Sequence, residues 1–213
     1  MSIGINEVKT KNRKTVLIAG VIIQLCAGIL YMWSVFKPAV KDYLSWDNGS
    51  AAMVTSIMMI GFVLGVLVGG KALDVYGARK AAVTGSILMA VGIFSTAFVT
   101  PGFPWMVYIT YALIGGFGVG MVYSSTVSNV QKWYFDKRGF ATGVMVGAFG
   151  FSMVIFAPIA SYLLTAIGVP GTFMALGTGF LIVCVLSSLM LSNPPEGYTV
   201  KKDGAQVNVG KSQ

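Results

Sequence analysis

Residues 51–73 read AAMVTSIMMIGFVLGVLVGGKAL, an apolar run whose one charge, Lys71, stands near its far end. A bilayer core about 30 Å thick is crossed by about 20 such residues in a helix. An uninterrupted apolar stretch of that length assigns the chain to the membrane. Within it Gly61, Gly65 and Gly69 recur every four residues. That spacing gathers small residues on one helical face and lets a second backbone approach where lipid offers no hydrophobic drive for association.

Outward from this stretch lie five further apolar runs: Thr15 to Phe36, Lys80 to Val99, Trp105 to Val130, Phe140 to Ala166, and Val169 to Leu191. The connections carry chain breakers, Asp47-Asn48-Gly49-Ser50, Thr100-Pro101-Gly102-Phe103-Pro104 and Gly168-Val169-Pro170-Gly171, and are short enough to make neighbouring spans antiparallel. The predicted fold is an all-α membrane protein with six transmembrane helices over residues 15–191. A polar segment, residues 1–14, precedes them, and residues 192–213 form a Lys-bearing linker or tail with too little apolar content to fold alone. The composition agrees: 10% of the 213 residues are charged, against about 25% in water-soluble domains.

Thirteen of the 15 Lys and Arg fall on one side of the predicted spans, in the N-terminal segment, the loops after spans two and four, and the tail; Lys37 and Lys41 fall on the other. The positive-inside bias therefore puts both termini in the cytoplasm of an integral protein of the cell (inner) membrane. The first span is followed by no small-x-small cleavage site, so it reads as an uncleaved helix and not a signal peptide. A net charge of +8 that punctuates hydrophobic segments, and gathers on no solvated face, argues against a nucleic-acid partner. The chain has no His and no HExxH or GxSxG string, which removes the commonest zinc ligand and general base. Cys26 and Cys184 lie in apolar runs without metal or redox spacing. The expectation is no enzyme, no metal and no cofactor.

Polar residues inside the spans mark the candidate site. On span one Gln24 and Tyr31 are seven apart, so on a regular helix an amide and a phenol look into one cavity. Trp33 stands near the outer end, as an interfacial anchor or as lining. Span four holds Gly115-Gly116-Phe117-Gly118-Val119-Gly120, which lies too deep in an apolar span to be a dinucleotide loop. Beyond it run Tyr123, Ser124, Ser125, Thr126, Ser128 and Asn129. In hydrocarbon such groups need partners or water, and Tyr123 and Asn129 are the least easily satisfied by their own helix. Span five repeats the glycine ladder at Gly139, Gly143 and Gly147 and adds Phe149 and Pro158. Either ladder can be fixed packing or a face that closes against a moving partner.

The segment Gly70-Lys71-Ala72-Leu73-Asp74-Val75-Tyr76-Gly77-Ala78-Arg79-Lys80 resembles the loop signature of the major facilitator superfamily. Two further strings, Gly28 to Phe36 (GILYMWSVF) and Asn129 to Gly143 (NVQKWYFDKRGFATG), resemble the oxalate/formate antiporter family and its monocarboxylate-carrier relatives. The resemblance implies the N-terminal six-helix half of a twelve-helix secondary carrier that exchanges small carboxylates by alternating access. It implies a midplane site lined by aromatics, with Tyr31 and Tyr123 among them and Gln24, Trp33 and Asn129 as further lining. Phe149 stands where an oxalate carrier would show a tyrosine, which leaves formate, lactate or another small monocarboxylate as open as oxalate. Asp74, Gly77, Arg79 and Lys80, with Asp136 and Arg138 from the second string, become the cytoplasmic gate, Asp74 latching to Arg79 or Lys80. No predicted span carries Lys or Arg near its centre, yet a carboxylate leaving water needs a cation or several donors. The resemblance assigns those cations to a C-terminal half as partner. The alternative is a stand-alone six-span channel, or a half-carrier subunit that assembles with itself or another half.

Overall fold

The structure, a computed structural model, describes residues 3–194, 199–202 and 205–208. Helix α1 (Ile3–Ala27) tightens into a 3-10 turn at Gly28–Met32 and resumes as α2 (Trp33–Leu44). Helices α3 (Asn48–Tyr76) and α4 (Ala78–Ser95) follow, then a π-helical stretch Tyr108–Gly115 leading into α5 (Gly116–Trp133), and α6 (Arg138–Leu189). Among the described residues, four continuous segments are long and apolar enough to cross a membrane: Arg13–Leu44, Asn48–Tyr76, Ala78–Phe98 and Phe135–Leu189. The helical stretch from Tyr108 to Trp133 lies between the last two.

The helix ends follow local chemistry. The first segment outruns its expected end at Phe36 and carries Lys37 and Lys41 in its final turns before Ser45 closes it in a left-handed conformation, φ 53°. Asp47, expected as a chain breaker, caps α3 by accepting from the backbone N–H groups of Gly49 and Ser50 and from the Ser50 hydroxyl. Those donors, the hydroxyl first, hold its carboxyl below its ordinary pKa. Gly77, at φ 85°, turns the chain between α3 and α4, a backbone angle that favours a residue without Cβ. The final segment of 55 residues is more than twice a single crossing. It breaks at Gly168 (φ 68°, ψ −175°), between the runs read as spans five and six. Residues 199–202 and 205–208 pair as an antiparallel hairpin, so the tail carries short local structure that its composition did not predict.

Alternating glycines seat α5 between α3 and α4. A Cβ at Gly65 would fall 2.0 Å from the Phe117 carbonyl oxygen, and one at Gly120 would fall 2.1 Å from that of Phe62, on the α3 side. On the α4 side a Cβ at Gly118 would lie 2.2 Å from the Met89 nitrogen. The Gly115–Gly120 run is thus a two-sided backbone seam. The ladder on α6 behaves otherwise: a Cβ at Gly139, Gly143 or Gly147 meets nothing within 4 Å. The expectation that both ladders are close-packed therefore holds only for α3, because among the described residues no helix lies against that face of α6.

Candidate transport site

Four aromatic rings meet where α3, α5 and α6 pass the 3-10 turn. Phe149 lies 5.2 Å from Tyr31 and 5.0 Å from Tyr123, both edge-on, and Phe62 lies 5.6 Å from Tyr123. These are favourable ring geometries that fix the side chains against one another. Phe149 is buried, Tyr123 half-buried and Tyr31 45% exposed. The phenol of Tyr31 is therefore the polar group of this cluster most open to the outside of the bundle. Phe62, which the sequence reading passed over as one more apolar residue of α3, belongs to the same wall.

Gln24 does not share that opening. Its side chain is 0% exposed. The seven-residue spacing to Tyr31 assumed a continuous α-helix, whereas the 3-10 turn from Gly28 to Met32 changes the rotation per residue. Asn129 is likewise 0% exposed. Trp33 is buried: its Nε1–H donates to the Ala51 carbonyl at 2.9 Å, and its ring packs 5.2 Å from Tyr111. Tyr111 in turn donates to the Ile29 carbonyl, 3.2 Å away. Of the six residues expected to line the site, Tyr31, Tyr123 and Phe149 come together, and Gln24, Trp33 and Asn129 lie in the interior.

The residues expected to gate gather at one end of the bundle, in different pairs from those expected. Asp74 bonds Lys132 of α5 at 3.1 Å and does not latch to Arg79 or Lys80. Arg79 turns its Nε–H to the Leu191 carbonyl (3.1 Å), and Lys80 is exposed. Asp136 forms its ion pair with Arg13, whose guanidinium also sits 3.8 Å over the Tyr134 ring. Arg138 is exposed at the start of α6. The segment after α6 crosses this end as a strap. Asn193 Oδ1 accepts from the Ala78 N–H at 3.1 Å, capping α4 beside Gly77, and Trp133 Nε1 donates to the Ser192 carbonyl at 2.7 Å. Residues 76–80 and 191–193 line an open cleft of about 310 Å³. Lys132, Arg13 and Asn193 were missed because each partner is more than 50 residues away in the chain, and no local pattern signals such pairs.

The arrangement offers two aromatic hydroxyls for orienting a polar solute, and the wall around them carries no cation. The sequence model of the Major Facilitator Superfamily matches residues 12–213. An uncharacterised MFS-type transporter of Escherichia coli (strain K12), YhjX, is 25% identical over 91% of this chain and 48% of its own length. The oxalate:formate antiporter of Oxalobacter formigenes is 27% identical over 86% of this chain and 43% of its own. Monocarboxylate transporter 2 of Rattus norvegicus is 26% identical over 84% and 36%. The chain thus spans about half, or less, of the length of these relatives. Among solved structures, the proton:xylose symporter XylE bound to 6-bromo-6-deoxy-D-glucose superposes on 85% of this chain and 44% of its own, with a TM-score of 0.66 and 14% identity. That likeness concerns the fold.

Proposed function

The chain belongs to the major facilitator superfamily, and from that premise we propose that it forms the N-terminal, six-crossing half of a secondary carrier of small carboxylates. The break at Gly168 divides the last long helix into the fifth and sixth crossings, and both termini lie in the cytoplasm of the cell membrane. The single observation that carries the reading is the Tyr31–Tyr123–Phe149 wall, with Tyr31 left 45% exposed on a surface otherwise rich in aliphatic groups. The relatives named for oxalate, formate and monocarboxylates supply the solute class. A carboxylate needs more than two phenols to replace its hydration, so the cationic anchors come from a second half seated opposite this wall. Alternating access then rocks the two halves about a midplane site. The open glycine face of α6 lets the partner helix come close as the cytoplasmic side closes, and the Asp74–Lys132 pair works at that side.

The test is exchange in proteoliposomes by the carrier that contains this half. Tyr31→Ala is expected to raise KM for formate or lactate by about tenfold, the loss of one good hydrogen bond to an ionised group. Phe149→Tyr, which adds a third hydroxyl to the wall, is expected to shift preference toward oxalate over the monocarboxylates. Unchanged KM and unchanged preference in both variants would remove the aromatic wall from substrate binding.

A further inference from the structure

Seven buried side-chain atoms have no hydrogen-bond partner among the described residues: Arg13 Nε, beside the Asp136 ion pair, and six on uncharged side chains, Gln24 Nε2 and Oε1, Thr126 Oγ1, Asn129 Nδ2 and Oδ1, and Ser152 Oγ. All four uncharged residues are 0% exposed. A polar group buried unpaired costs more than a typical internal hydrogen bond returns, so buried groups of this kind are satisfied by protein or by ordered water. Four such residues on three helices ask for one explanation.

The packing brings them to one junction. Gly20, Gln24 and Gly28 follow one another at four-residue spacing along one side of the first segment. A Cβ at Gly20 would lie 2.8 Å from Met145 and 3.1 Å from Val130; a Cβ at Gly28 would lie 2.2 Å from Ser152. Helix α6 therefore runs alongside α1 in the same direction, from Met145 at the Gly20 level to Ser152 at the Gly28 level. Helix α5 runs the opposite way, since Val130 shares the Gly20 level with Met145 while Tyr123 touches Phe149 further along. Gln24 lies between Gly20 and Gly28, and Thr126 and Asn129 lie between Tyr123 and Val130. All four uncharged residues thus fall within one slab about two helical turns, or about 11 Å, thick.

The orphaned set mixes amide donors, carbonyl acceptors and hydroxyls, so the occupant must both donate and accept, and be small enough for a three-helix junction. We propose that the α1–α5–α6 junction is an internal hydration site holding water between Gln24, Thr126, Asn129 and Ser152. A buried water makes about three hydrogen bonds, so six atoms call for about two molecules. The site sits behind the Phe149 and Tyr123 rings and is separate from the open wall at Tyr31. It gives the three helices a polar register where apolar packing alone would allow them to slip.

Radiolytic hydroxyl labelling of the full chain in nanodiscs tests this, because a bound water activated in place oxidises the side chains beside it. Met145 and Met89 are equally buried, both 0% exposed, but Met145 borders this junction while Met89 packs against Gly118 in the α4–α5 seam. Met145 is expected to be oxidised several-fold faster than Met89, and Gln24→Leu combined with Asn129→Leu is expected to bring its rate down to that of Met89. Equal, slow oxidation of both methionines in the unaltered chain would overturn the proposal whether or not the double variant folds. So would a density map in which the Gln24 amide bonds Asn129 or Thr126 directly.

Discussion

Asp74 and Lys132 form an ion pair 3.1 Å long whose side chains are 72% and 44% exposed. Pairs this open contribute about 0–1 kcal/mol and are screened by salt, so the contact is easily broken and remade. Removing the charge with Asp74→Asn in the complete carrier is expected to slow turnover in exchange assays several-fold while KM stays near its unaltered value. Unchanged turnover would take Asp74 out of the gate. The carboxylate was legible from the sequence, because Gly70, Asp74 and Gly77 stand at recognisable spacing. Its partner was not, because Lys132 is 58 residues away and the nearer bases Arg79 and Lys80 satisfy the same chemical rule. Gln24 shows the complementary failure. The cavity expected to be shared with Tyr31 depended on a regular helix, and a 3-10 turn stands at Gly28–Met32 that no residue in the stretch demands.

At the scale of elements, the two glycine ladders look alike in sequence and differ in the fold. On α3, Gly65 brings backbone against backbone at Phe117; an added methyl has only a carbonyl oxygen to push, and overpacking of this kind costs about 1–3 kcal/mol. Gly65→Ala is therefore expected to lower the thermal midpoint of the purified chain in detergent, whereas Gly143→Ala, which meets open space, leaves it unchanged. Equal midpoints for the two variants would contradict the seam. Periodicity can announce that a helix face is small, but the existence of a helix to receive it is a property of the assembled bundle. The same limit explains the Gly115–Gly120 run. Its position in an apolar span excluded a nucleotide loop, yet only the packing shows alternate glycines serving α3 and α4. The break near Gly168, by contrast, was written locally: Gly168 and Pro170 are chain-breaking residues two apart, and the backbone departs from helical angles at Gly168 while Val169–Gly171 resume the helix.

Across the whole molecule, the ion pairs and the Asn193 strap collect at one end, the aromatic wall lies along the bundle, and one side of α6 is left without a packing partner among the described residues. The charge asymmetry and apolar runs made that layout readable in outline. The wall's membership was not, since Trp33 and Asn129 are buried and Phe62 joins the wall with no sequence signal to mark it. The central claim is that this half supplies one wall of a passage and that the passage forms only against a second half. The direct measurement is uptake of radiolabelled formate, lactate and oxalate by liposomes containing the purified 213-residue chain alone. The account predicts no saturable uptake above protein-free liposomes for any of the three. Saturable uptake by that chain, competed by unlabelled carboxylate, would contradict it.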